Sequence, residues 1–122
     1  MKFLLIMYFS IIFISCESES DCLITDYLGN WKGTYKCDTF QAENINLKLI
    51  QANTENQIKI EGSELNDEIL NFSDCYISIA KNLQDFSYKI TGELNDTKNI
   101  LTLRKEFTSD QGVIFCNLIL VR

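Results

Sequence analysis

Histidine and proline are both missing from this 122-residue chain. Histidine is the commonest general base near neutral pH and a leading metal ligand, so its absence removes the simplest acid–base machinery. No nucleophile elbow, phosphate-binding glycine loop or zinc-protease motif takes its place. No two cysteines stand as C-x-x-C, which argues against a redox-active pair, and no short cysteine knuckle suggests a zinc site. Asp67-Glu68 falls in a turn-like stretch, where carboxylates are solvated. Asn95-Asp96-Thr97-Lys98-Asn99 lacks the spaced carboxylates and closing glutamate of a calcium loop. No enzyme, metal or cofactor is expected.

Positive charge is scarce as well. Eleven Lys and Arg face seventeen Asp and Glu, for a net charge of −6. That balance disfavours nucleic acid and anionic lipid surfaces, and it suits a cationic protein partner. Long apolar runs are also lacking. Phe3 to Ile14 is apolar except for Ser10, yet it falls short of the roughly 20 residues that span a bilayer.

What that run does offer is an address. Lys2 supplies a basic start, the apolar stretch follows, and Ser15-Cys16 ends it before the polar Glu17-Ser18-Glu19-Ser20-Asp21. Ser15-Cys16 resembles a bacterial lipobox, with Phe13 where that family usually has leucine. The resemblance implies removal of residues 1–15 and acylation of Cys16 by palmitate-type chains. At about 0.8 kcal/mol per buried methylene, several chains would hold the protein firmly to a membrane. The acidic run after Cys16 resembles the export signal of surface lipoproteins in Bacteroidetes-type bacteria, which implies an outer-membrane location on the periplasmic or surface face. A solvated tether over residues 16–26 and a single domain over 27–122 are expected to follow.

Within the domain the dominant pattern has period two. Trp31, Gly33, Tyr35 and Cys37 alternate with Lys32, Thr34, Lys36 and Asp38; Ile45, Leu47 and Leu49 alternate with asparagine and lysine. Further short strands are expected at Ile58–Ile60, Ile69–Phe72, Cys75–Ile79, Phe86–Ile90, Leu101–Leu103 and Val113–Val121, with polar turns between. About eight strands at ten-residue spacing predict an all-β fold: a small up-and-down antiparallel barrel, with a β-sandwich as the alternative. Val113–Val121 is apolar on both phases except at Cys116 and Asn117, which predicts cover on both sides. A monomer is expected.

With Cys16 set aside, Cys22, Cys37, Cys75 and Cys116 remain, and an exported chain would pair them in two disulfides. First and last strands are neighbours in a closed meander. That favours Cys37–Cys116 and leaves Cys22–Cys75.

Gly29-Asn30-Trp31 at the first strand resembles the G-x-W signature of lipocalins. With Gly33-Thr34-Tyr35 and Cys37 it is similar to small lipocalin-like lipoproteins of Bacteroidetes. Lipocalins place an arginine across the tryptophan; Arg122 ends this sequence and Arg104 lies in an interior strand, so neither clearly fills that role. The resemblance implies a cavity for an apolar ligand, lined by Trp31, Tyr35, Phe86, Tyr88 and Phe115. A barrel this small can instead be filled by those side chains, and a filled core is the expectation. Tyr35-Lys36-Cys37-Asp38 also resembles the first strand of membrane-anchored lysozyme inhibitors, though that family's Ser-Gly loop has no counterpart. Three roles follow: a non-catalytic binding or accessory lipoprotein of the cell envelope, an inhibitor of a cationic enzyme, or a carrier of apolar ligands.

Overall fold

The computed structural model describes residues 22–122. The expected signal peptide (1–15), the lipid site Cys16 and most of the acidic tether lie outside the described residues. Eight antiparallel strands run in chain order round a closed barrel: β1 (Gly29–Cys37), β2 (Glu43–Gln51), β3 (Gln57–Glu61), β4 (Ile69–Ser73), β5 (Tyr76–Asn82), β6 (Phe86–Leu94), β7 (Ile100–Ser109) and β8 (Gly112–Val121). Each strand pairs with its successor, and β8 closes on β1 through Gly33↔Leu120, Tyr35↔Leu118 and Cys37↔Cys116. The all-β barrel is therefore the fold, and the sandwich alternative falls away.

Period two explains the inside. Ile45, Leu47 and Leu49 of β2, Ile58 and Ile60 of β3, Leu101 and Leu103 of β7, and Leu118 and Leu120 of β8 all point inward and are buried. Their polar neighbours point outward, as a closed sheet requires. Fifteen apolar side chains form one core cluster, from Tyr27 and Trp31 to Leu118 and Leu120. Packing is tight enough that a Cβ at Gly92 would sit 2.4 Å from Leu103 Cδ2 and 2.9 Å from Ile77 Cγ1. At the closing seam a Cβ on Gly33 would lie 1.9 Å from the backbone oxygen of Ile119, so only glycine lets β1 meet β8 there.

Three expectations change. The expected cover on both faces of the last strand is absent: Val113, Ile119 and Val121 are exposed on the outside. Only the Cys116–Leu118–Leu120 phase is inward, and a single-layered barrel has no second sheet to shield the other. Cys75 is not in a strand. With Asp74 it forms the two-residue β4–β5 turn, both residues left-handed (φ 52° and 71°), the geometry a tight hairpin needs. Finally, residues 22–26, read as tether, are built onto the barrel by a 3-10 turn at Ile24–Asp26 and a Cys22–Cys75 disulfide.

Candidate functional site

Alternating strand direction sorts the connections onto two ends. Residues 22–28, 52–56, 74–75 and 95–99 lie at one end with Trp31 and Arg122. Residues 38–42, 62–68, 83–85 and 110–111 lie at the other, beyond Tyr35.

The Trp31 end is shut by buried aromatic packing. Trp31 is 1% exposed, and its indole Nε1–H donates to the Tyr27 carbonyl oxygen at 2.9 Å. Tyr27 is fully buried, donates its hydroxyl to the Cys75 carbonyl at 2.6 Å and meets Phe72 edge-on. Burial pushes the Tyr27 phenol well above its usual value. Arg122 fills the role that neither arginine was expected to take. Its guanidinium carbon lies 4.4 Å from the Trp31 ring centroid, and its nitrogens donate to the carbonyls of Leu28 and Lys98. The period-two signal was present, since residue 122 shares the inward phase of Leu118 and Leu120. Asp26 accepts the backbone N–H of Leu23 and lies 3.3 Å from Lys98 Nζ. The Leu23 bond, then the charges of Lys98 and Arg122, hold its carboxyl below the usual range despite some burial.

At the Tyr35 end the inward phase changes chemistry. Tyr35, the Cys37–Cys116 disulfide, Lys105, Tyr88, Phe86 and Phe107 follow the aliphatic layers. Tyr88 donates to Glu68 Oε1 at 3.1 Å, with Lys105 Nζ 5.1 Å from the ring centroid and Lys81 Nζ 3.9 Å from the same carboxylate oxygen. Burial first, then the hydrogen bond and charge of Glu68, push the Tyr88 phenol up to about 12. Tyr35 points toward Glu64 and Cys116 Sγ, and burial with the Glu64 charge raises its phenol too. Phenols held protonated in this way donate hydrogen bonds and make poor bases. A recess of about 240 Å³ opens between Tyr35, Glu43, Ile45 and Glu64.

The rim round this mouth is apolar and acidic. Phe40 is 64% exposed, Leu83 49%, Val113 46% and Ile114 40%. Phe86 stacks on Phe107 at 4.9 Å, and Phe107 is the register partner of Ile114, so the apolar arc is continuous across β6, β7 and β8. Residues 38–43, 62–68, 83–85 and 110–111 contain seven carboxylates (Asp38, Glu43, Glu64, Asp67, Glu68, Asp85, Asp110) and no Lys or Arg.

Of the five aromatics expected to line a cavity, Trp31 plugs one end while Tyr35, Phe86 and Tyr88 border the other. Phe115 is a correction. It lies on the outward phase of β8, half-buried beneath Arg104 at 4.5 Å, because Cys116 takes the inward position. The two disulfides are Cys22–Cys75 and Cys37–Cys116, the pairing expected. The polar turns after β6 and β7 lie at opposite ends of the barrel, and β6 runs on through Leu94. The sequence assigns no role to Glu64, Lys105, Phe40, Phe107 or Ile114, and Glu68, expected to be solvated in a turn, is instead largely covered and accepts from the Tyr88 hydroxyl. Phase alone places Lys105 and Phe107 on the face of Leu101 and Leu103. No short-range signal brings Glu64 or Glu68 to the tyrosines.

A wider concavity of about 610 Å³ lies on the outside of β1 and β2, lined by residues including Asn30, Lys32, Asn46, Lys48 and Glu61. Among the described residues no three metal-ligating side chains gather, and no helix is long and apolar enough to cross a membrane. Neither protein-family models nor curated proteins match this sequence.

Proposed function

We propose that this protein is a non-catalytic binding module of the cell envelope, tethered through a lipid on Cys16 and presenting the Tyr35 end of its barrel to a protein partner. One observation carries the reading. The inside is occupied by its own leucines and isoleucines, and at the end opposite Cys22 the exposed Phe40, Leu83, Val113 and Ile114 lie with the stacked Phe86–Phe107 pair. The exposed Leu23, Tyr76 and Val121 at the Cys22 end have no such stacked pair among them. Exposed apolar patches on a small domain mark contact surfaces. A tether at one end and such a rim at the other suit a module held out from a membrane. Gly29-Asn30-Trp31, with Arg122 across the ring, supports a lipocalin-like relationship.

Photo-crosslinking in the native host tests this reading. A benzoylphenylalanine at position 40 should give protein adducts in the membrane fraction that the same group at position 119 does not. Cys16→Ser should release the protein from membranes or leave its precursor uncleaved. Equal adducts from both positions, or unchanged fractionation of Cys16→Ser, would count against the module and the anchor respectively.

A further inference from the structure

We propose that the Tyr35 rim receives a cationic protein surface, one in which an exposed apolar side chain is flanked by lysine or arginine. The inference rests on the binding-module reading and names its occupant.

The apolar half of the rim is the arc Phe40–Ile114–Phe107–Phe86–Leu83. Stacking and register join Phe86, Phe107 and Ile114, the Leu83 N–H donates to the Phe86 carbonyl, and Phe40 projects from the β1–β2 connection at the same end; three of the five are 40% exposed or more. The charge half comes from the same loops. Seven carboxylates and no cation occupy residues 38–43, 62–68, 83–85 and 110–111. The opposite end differs, carrying Arg122 and Lys98 beside its acids. Lysines do approach the mouth from the strands. Lys81 and Lys59 are spent on Glu68 and Asp67, and Lys36 bonds the Asp38 carbonyl. Lys105 lies over Tyr88 on the inward phase. The outermost layer is therefore acidic around an apolar arc. An anionic partner would meet repulsion there, and a purely apolar one would desolvate carboxylates such as Glu43, Asp85 and Asp110, which Lys59 and Lys81 do not neutralise. A cationic surface with an apolar centre satisfies both. Long-range attraction to the acidic loops would also speed encounter and make it salt-dependent.

The test uses the full, natively processed protein in nanodiscs of zwitterionic lipid. Three fluorescent twelve-residue probes are compared: a lysine–glycine peptide with one central phenylalanine, the same peptide with glutamate for lysine, and the lysine peptide with phenylalanine replaced by glycine. The first should bind at least tenfold tighter than the second and several-fold tighter than the third, weakening as salt rises. Its contacts, mapped by photo-crosslinking, should fall on residues 38–43, 62–68 and 107–115. Phe40→Ser, and Asp85→Asn combined with Asp110→Asn, should each weaken binding about fivefold or more, while Ile119→Ser leaves it unchanged. Comparable binding of the glutamate peptide at the rim would overturn the cationic occupant and leave the binding module standing. Crosslinks confined to the Lys32–Lys48 concavity or the outer face of β8 would overturn the rim itself.

Discussion

Arg122 lies 4.4 Å above the Trp31 ring and at the same time bonds the carbonyls of Leu28 and Lys98. One side chain thus ties β1, the chain leading into it and the β6–β7 turn into a single lid. The cation–π contact contributes about 0.5–1 kcal/mol, and each hydrogen bond about as much again. Arg122→Ala should therefore cost about 1.5–3 kcal/mol in urea unfolding, with a red shift of Trp31 emission as water reaches the indole. Trp31→Ala should cost about 3–5 kcal/mol, enough to unfold a domain of this size. A neutral Arg122→Ala would mean the lid holds without it.

The two interior glycines should respond differently to one added methyl. At Gly92 the Cβ meets the side chains of Leu103 and Ile77, which can shift, so Gly92→Ala should cost about 1–3 kcal/mol and keep the fold. At Gly33 it meets the Ile119 backbone, which cannot yield without opening the β1–β8 seam. Gly33→Ala should be the more damaging, with early amide exchange in β8. Equal midpoints for the two variants in thermal unfolding would contradict this packing.

Tyr88 predicts an alkaline limit. Its folded pKa is about 12, against 10.0 for an ordinary tyrosine. A raised pKa means the stabilisation is complete below about pH 10 and fades as pH climbs through the folded value, because the unfolded state loses its proton first. Tyr88→Phe removes the bond to Glu68 and should cost about 1 kcal/mol at pH 8. The gap between variant and wild type should narrow between pH 10 and 12. A gap constant across that range, followed by urea unfolding, would remove the Glu68 bond from the account.

The strand pattern was legible because period two is local: Trp31-Gly33-Tyr35-Cys37 and Ile45-Leu47-Leu49 declare their inward faces without reference to the rest of the chain. Closure of the meander made Cys37 and Cys116 neighbours, so that disulfide followed too. Phe115 misled because β8 is apolar on both phases; inward and outward could be told apart only by Cys116 having to meet Cys37. The mouth was the least readable part. Tyr35 with Glu64 and Tyr88 with Glu68 are separated by 29 and 20 residues, and only the loop over the barrel end brings them together. The rim was hidden for the same reason: Phe40, Leu83 and Ile114 are unremarkable singly and become a surface only when three hairpins end at one level.

All of this turns on whether the inside is full. If it is, function belongs to the outside and to the rim. The most direct measurement is titration of the purified protein with apolar compounds, fatty acids and a polarity-sensitive dye among them, following Trp31 fluorescence and dye emission. The account predicts no saturable change at micromolar concentrations, since Trp31 is buried and the space behind it is occupied by Leu47, Leu49 and Leu120 among others. Saturable micromolar binding, competed by natural lipids and abolished by Tyr88→Ala at the mouth, would contradict it and make the barrel a carrier.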